Sequence, residues 1–364
     1  MKLNKNIVPV RAVYSAFVIG MLAALVSAAP LRAETIRLTA VSGYSPVASW
    51  VHMFKTYFMP EVDRRLLAAG GKHKIAWTEG FSGTVVKPRG ELEAIESGIG
   101  DIGIVVTAFH VDKVPLYNVA FVTPFVSHDL LLVVRTIDAL TDKYPEMRKS
   151  WEKYNQVYLA ATGTVDTYQV VTSKPVRSLS DFEGMKIGGA GPNLLWLEGI
   201  GATGVNSTLA EWYNGIKNGI YEGCIVWAEA AGNFKLYEVA PNYLNANLGA
   251  TNSFAVTVNK DIWDDLPKQV QTVLQEVATD YRDESARFVM AGAAKGVKKY
   301  LANGGTVFDL PESERAKWAA ALPNIAGNWA NNMEAQGLSG RAILGDYMRI
   351  MRENDQPIAR QWDK

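Results

Sequence analysis

Two similar α/β lobes flanking a cleft, braced by one long helix: that is the fold class this 364-residue sequence predicts. Three observations lead to it. "LEAIESGIGDIGIVV" (92–106) returns 121 residues later as "YNGIKNGIYEGCIVW" (213–227), with Ile95, Gly98, Ile99, Asp101 and Ile104-Val105 matched by Ile216, Gly219, Ile220, Glu222 and Ile225-Val226. Each copy reads as a helix ended by a glycine, a short turn and a buried strand. Both halves alternate strand patterns with helix patterns, which implies α/β layers with mainly parallel sheets. From Pro267 to Leu301 the helical pattern is long enough for a rod of about 50 Å, longer than one lobe.

Taken in chain order, the N-terminus differs from the rest. Lys2, Lys5 and Arg11 precede the nearly uncharged run Ala16–Ala29, and "PLRAET" follows with Ala33 as a cleavage residue. This is the pattern of a secretory signal peptide over 1–33. An N-terminal anchor is the alternative, but the run falls short of the ~20 residues a spanning helix needs. "TIRLTAV" (35–41) alternates as a strand, and residues 49–69 carry apolar positions at helical spacing with Pro60 as a kink. "KHKIAWTEG" gives a second strand. "QVYLAATG" and "TYQVVTSKPV" read as strands, "SDFEGMKIGG" turns into another, and 312–364 reads as further helices.

Composition excludes several functions. Hydrophobic residues make up 48%, so a packed core is expected. Removing residues 1–33 takes away Lys2, Lys5, Arg11 and Arg32 and no acid, leaving 33 basic against 37 acidic residues and no basic stripe for a nucleic acid. The single cysteine, Cys224, sits in the apolar run "CIVW" and reads as a buried thiol. His52, His73, His110 and His128 show no metal-ligand spacing, and "GYSPV" and "GFSGT" both miss the nucleophile elbow. No catalytic residue, metal ligand or cofactor is assigned.

"GMKIGGAGPNLLW" (184–196) crowds glycines at the end of a strand, with a helix expected to begin near Asn193. It lacks the spacing of a nucleotide loop. Free N–H groups and the helix dipole at such a turn could hold a carboxylate, aided by the Asn193 amide.

Several stretches together resemble the DctP-type solute-binding proteins of TRAP transporters. They are "GYSPVASWVHMF", "ELEAIESGIGDIGIV", "PLYNVAFVTPF", "SKPVRSLSDFEGMKIGG", "AEWYNGIKNGIYEG" and "VNKDIWDDLPKQVQ", in the family's order and over roughly residues 35–305. The resemblance implies a periplasmic binding protein-like fold with a domain-spanning helix and a ligand buried between the lobes. Lobe I is expected over 34–161 plus 251–290, and lobe II over 162–250 plus 291–364. It also implies a receptor rather than an enzyme: a periplasmic, monomeric protein that hands a small organic acid to TRAP membrane subunits. An ABC-type receptor and an exported hydrolase are the alternatives.

The sequence departs from the family where a carboxylate-binding arginine usually stands, at Gly188. A second arginine position holds Val165, and an asparagine position holds Val226, followed by Trp227. Lys87 and Arg89, in "VVKPRGEL", are the cations nearest by motif. Tyr44, Trp50, Phe81, Phe109, Phe125, Tyr168, Trp196, Trp212 and Trp227 lie on or near cleft-forming segments. Of these, Tyr44, Phe81, Phe109, Tyr168, Trp212 and Trp227 are expected to line the ligand, together with Thr107, Gly188, Gly189 and Asn193. A cleft short of cations and rich in rings suits a monocarboxylate with an apolar or aromatic body.

Overall fold

The computed structural model describes residues 33–364; the expected signal peptide, apart from Ala33, lies outside the described residues. In chain order the strands are β1 (Glu34–Val41), β2 (His73–Gly80), β3 (Ile102–Val106), β4 (Gln156–Val165), β5 (Tyr168–Thr172) and β6 (Lys186–Gly189). They continue with β7 (Thr203–Asn206), β8 (Gly223–Trp227), β9 (Asn242–Asn245), β10 (Thr251–Asn259) and β11 (Thr306–Asp309). The helices the argument needs are α1 (Ser49–Met53), α2 (Met59–Ala68), α3 (Glu91–Glu96), α4 (Leu130–Lys143), α5 (Pro145–Glu152) and α6 (Leu209–Lys217). Next come α7 (Ala228–Asn233), α8 (Lys260–Asp265), α9 (Lys268–Ala302), α10 (Glu312–Ala321), α11 (Ile325–Ala335) and α12 (Gly340–Glu353).

Two sheets form, ordered β2-β1-β3-β10-β4 and β11-β9-β5-β8-β6-β7. They follow one plan. β1 pairs in parallel with β2 and β3, as β6 does with β7 and β8. β10 then pairs antiparallel with β3 and β4, as β5 does with β8 and β9. The sheets are therefore mixed, where the alternation of strands and helices suggested mainly parallel ones. The reason is the crossover: β10 and β5 each follow a strand of the opposite sheet with no helix between, and run against the strands already there.

The sequence repeat occupies the same place in each sheet. Gly98 and Gly219 close α3 and α6 at φ 72° and 71°, a conformation that costs a side chain strain. Ile99 N–H bonds to Ala94 O and Ile220 N–H to Gly215 O, each at 2.9 Å, as a Schellman ending requires. Asp101 and Glu222 then tie strand to strand. The Asp101 carboxylate accepts the Thr39 N–H at 2.6 Å while its own N–H donates to Thr39 O. Glu222 does the same with Lys186, at 3.1 Å and 2.8 Å. The matched acids are thus structural, each satisfying a backbone donor at a strand entry.

Pro60 makes its disturbance one step early. α1 and α2 are one rod joined by a π turn, Phe54–Phe58, in which Met59 N–H donates to Phe54 O. Proline lacks the N–H that would bond Thr56 O and its ring crowds that carbonyl, so the wider turn relieves the contact. α9 has the 35 residues expected of the brace. Gly163 lets β4 pack directly on it: a Cβ there would lie 2.4 Å from the Ala286 Cα. Further along α9, a Cβ on Gly296 would lie 2.0 Å from Ala228 O, at the start of α7. The rod touches both sheets' layers through these two bare positions. α12 and the segment after it also reach the first sheet's layer, where Tyr144 Oη donates to Asp346 at 2.6 Å and Trp362 Nε1 donates to Pro124 O at 2.8 Å.

Among the described strands the chain passes between the sheets three times, and two of these crossings, β4 to β5 and β9 to β10, lie side by side. Tyr168 N–H donates to Gly249 O at 3.0 Å and Leu248 N–H donates to Tyr168 O at 2.9 Å, so Tyr168 is paired backbone to backbone with Leu248 and Gly249.

Candidate functional site

Between the two sheets lies an apolar cavity of about 30 Å³. The first sheet's layer contributes Tyr44, Trp50, Val106, Ala108, Phe109 and Phe254; the second contributes Tyr168, Ala190, Leu209, Trp212 and Trp227. The volume suffices for about one water molecule. A larger guest enters only if the lobes part.

The rings are fixed by what they touch. Trp50 sits edge-on to Tyr44 with centroids 5.1 Å apart, and 4.6 Å from Phe254. Trp227 stands 6.1 Å from Trp50 and 6.0 Å from Tyr168. Trp212 Nε1 donates to Ser207 Oγ at 3.0 Å, and Trp227 Nε1 donates to Glu229 Oε2 at 3.2 Å. The Tyr44 hydroxyl bonds to Thr208 across the cleft; burial, then the charge of Glu91, raises its pKa.

Arg89 lies beside this cavity, exposed and outside its lining. Its guanidinium lies 4.5 Å from the Phe109 ring centroid, a cation–π distance. Its Nη2 donates to Asn206 Oδ1 at 2.8 Å, at the end of β7 in the opposite lobe. Arg89 holds φ at 80°, which a residue with a side chain adopts at a cost. Glu91, fully buried, holds the loop in that shape. Its Oε1 accepts the Gly43 N–H at 2.9 Å, and the Arg89 N–H also bonds to the carboxyl. Burial pushes the Glu91 pKa up to about 7 against those N–H groups. Asp166, in the crossing segment, is likewise pushed up to about 7 by burial.

Tyr44, Phe109, Tyr168, Trp212 and Trp227 thus line the cavity. Thr107 is buried between lining residues Val106 and Ala108, and Asn193 is buried with its Oδ1 accepting the Ala190 N–H at 2.9 Å. Phe81 is buried in the core and Lys87 Nζ turns back to Gly83 O at 3.0 Å; neither lines the cavity. Phe125 and Trp196 also belong to the core, the one against Trp318 and the other against Phe121.

The glycine stretch differs from its expected form. Gly188 and Gly189 belong to β6, where their backbone pairs with β7 and β8. After them comes a 3₁₀ turn, Gly191–Leu197, in place of an α-helix. Asn193 caps this turn instead of opening a helix, so no α-helix dipole stands at the cleft here. The turn is sterically dictated: a Cβ on Gly189 would lie 2.6 Å from Asn193 Oδ1. At Gly188 the space for a side chain is filled by Tyr221 and Ser207, 3.0 Å and 3.1 Å from a Cβ. Glycine there matches a packed wall.

Sequence reasoning left out Trp50, Val106, Ala108, Ala190, Leu209 and Phe254, which line the cavity, and Asn206, which bonds Arg89. Asn206 and Leu209 flank the Thr208 cap, where a local signal existed. Phe254 lies on the crossover strand β10 and reaches Trp50 only through the sheet order.

Residues 66–334 match the family described as bacterial extracellular solute-binding protein, family 7 (DctP). A curated relative, the C4-dicarboxylate-binding periplasmic protein DctP of Rhodobacter capsulatus, is 26% identical over 168 residues, 45% of this chain and 50% of the relative. The chain thus spans about half the length of the curated relative it matches. Among solved structures, a TRAP solute binding protein from Rhodoferax ferrireducens T118 in complex with copurified benzoate superposes with a TM-score of 0.76 at 17% identity, covering 87% of this chain and 98% of that one. A marine metagenome TRAP solute binding protein specific for aromatic acid ligands, in complex with 3-hydroxybenzoate, gives 0.75 at 20% identity over 89% and 100%. At such identities the likeness speaks for the fold. Among the described residues, no helix is long and apolar enough to cross a membrane.

Proposed function

The chain belongs to the bacterial extracellular solute-binding protein family 7, and on that premise we propose that it is the periplasmic receptor of a TRAP transporter for an organic acid with one carboxylate and an apolar or aromatic body. The observation that carries this reading is the site's make-up: eleven lining residues without a charge among them, and one arginine beside Phe109. A single guanidinium offers a bidentate partner for one carboxylate. A second carboxylate would be buried against rings without a partner, which is costly. The neighbours bound to benzoate and 3-hydroxybenzoate support the same class. The relative named for C4-dicarboxylates is the competing class, and the filled wall at Gly188 argues against it here.

In this reading the receptor binds and releases its solute unchanged. The lobes, 34–161 plus 251–290 and 162–250 plus 291–364, close on the acid about the paired crossings at 166–168 and 248–250. The helices over 312–364, counted with the second lobe, also touch the first, where Trp329 Nε1 donates to Pro115 O, and limit the swing. The closed monomer presents the acid to the membrane subunits.

Thermal unfolding with benzoate, 3-hydroxybenzoate, succinate and malate tests the reading. An acid at 100 times its Kd adds about 2.7 kcal/mol of apparent stability. Stabilisation by the aromatic acids and none by the dicarboxylates is expected. Tight binding of succinate with no response to any aromatic acid would overturn the ligand class and leave the family standing.

A further inference from the structure

Of the cavity-lining side chains that carry a polar atom, one has that atom buried and without a partner among the described residues: Trp50, at Nε1. Trp212 and Trp227, on the facing wall, spend their indole N–H groups on Ser207 and Glu229. The Tyr44 hydroxyl is engaged by Thr208. A buried indole N–H ordinarily finds an acceptor, and leaving it without one is unfavourable. Trp151 is also without an acceptor at Nε1, but it is packed in the core against Tyr117 and Tyr158. Trp50 differs in facing an interlobe cavity.

Trp50 is also held in place. Tyr44 and Phe254 pack its ring, and its backbone oxygen accepts the Tyr281 hydroxyl of α9 at 2.6 Å. A donor this restrained is pre-organised for an acceptor that arrives with the guest.

We propose that the Trp50 indole N–H reads an uncharged oxygen, a hydroxyl or carbonyl, on the body of the bound acid. The inference rests on the organic-acid reading above and narrows it. Arg89 takes the carboxylate, because a neutral indole among rings cannot replace a charge partner. The indole takes the second oxygen, and plain hydrocarbon acids leave it unsatisfied. The site therefore selects oxygen-substituted aromatic acids over unsubstituted ones of the same size. A site built to bond a substrate hydroxyl discriminates against the analogue lacking it.

Calorimetric titration of wild type and Trp50→Phe with benzoate, 3-hydroxybenzoate and 4-hydroxybenzoate tests this. Phenylalanine keeps an aromatic ring and removes the donor. Wild type is expected to bind one hydroxybenzoate about tenfold more tightly than benzoate, the worth of one hydrogen bond. Trp50→Phe should lose that preference, binding the hydroxybenzoate and benzoate within about twofold of each other. A second measurement needs no variant: exchange of the Trp50 indole proton in wild type should slow with the preferred hydroxybenzoate and not with benzoate. No preference in wild type, a preference that survives in Trp50→Phe, or an indole proton indifferent to the hydroxyl overturns the inference while benzoate binding sustains the acid reading. Failure of all three acids to bind removes the acid reading and this inference with it.

Discussion

Arg89 and Asn206 join the two lobes across the cleft, Nη2 to Oδ1 at 2.8 Å, while the same guanidinium stacks over Phe109. One side chain therefore meets the opposite lobe and, in its own lobe, a ring that lines the apolar cavity. Of the guanidinium's five donors this bond uses one, so the group can hold the lobes together and still meet a carboxylate.

Arg89→Ala is expected to weaken benzoate binding by about 1.5–3 kcal/mol, the usual loss for a charged hydrogen bond. Lys87→Ala should stay within about twofold, because that ammonium turns away to Gly83 O. Titration of both variants separates the two cations. Equal effects would return Lys87 to the site.

Gly191 sets how near the lobes come. It holds φ at 61°, and a Cβ there would lie 2.3 Å from Ala108 O on the facing lobe. Gly191→Ala is expected to prop the cleft open. Small-angle scattering should then give a larger radius of gyration for the variant, with benzoate contracting wild type and leaving the variant unchanged. A variant that contracts like wild type would show that the contact does not limit closure.

The bare positions on the brace should be intolerant. Gly163→Val and Gly296→Val place atoms inside Ala286 and the Ala228 carbonyl, and each is expected to lose about 1–3 kcal/mol of stability. Urea unfolding measures this. Gly345→Ala is the control, since nothing lies near a Cβ at that place.

Glu91 makes stability depend on pH. Burial raises its pKa from 4.5 to about 7, so between those values the folded protein holds a proton that the unfolded chain releases. The stability this adds is present in acid and is lost as pH rises through about 7. Asp166 acts in the same direction, raised from 3.8 to about 7. Glu91→Gln removes one of the two titrations. Its melting temperature is expected to fall less than that of wild type between about pH 5 and 8. Parallel curves would mean that Glu91 does not titrate in that range.

The sequence by itself determined the repeated unit, the long brace and the family. Those rest on local rules: a glycine at the helix end, an acid before the strand, apolar residues at a fixed period, and Pro60 disturbing its helix. It also placed Tyr44, Phe109, Tyr168, Trp212 and Trp227 on segments that meet at the cavity. Tertiary structure decided what chain distance hides. β10 and β5 run against their neighbours because each follows a strand of the other sheet with no helix between. That turns mainly parallel sheets into mixed ones and brings Phe254 onto Trp50. The glycine stretch became strand and 3₁₀ turn because Tyr221, Ser207 and Leu194 fill the space around it. Arg89 and Lys87 are two residues apart in the chain, yet only Arg89, at φ 80°, reaches the opposite lobe. Which tryptophan keeps a free donor was likewise decided by packing. Ser207 and Glu229 stand within hydrogen-bond reach of Trp212 and Trp227, and no acceptor stands within reach of Trp50 Nε1 among the described residues.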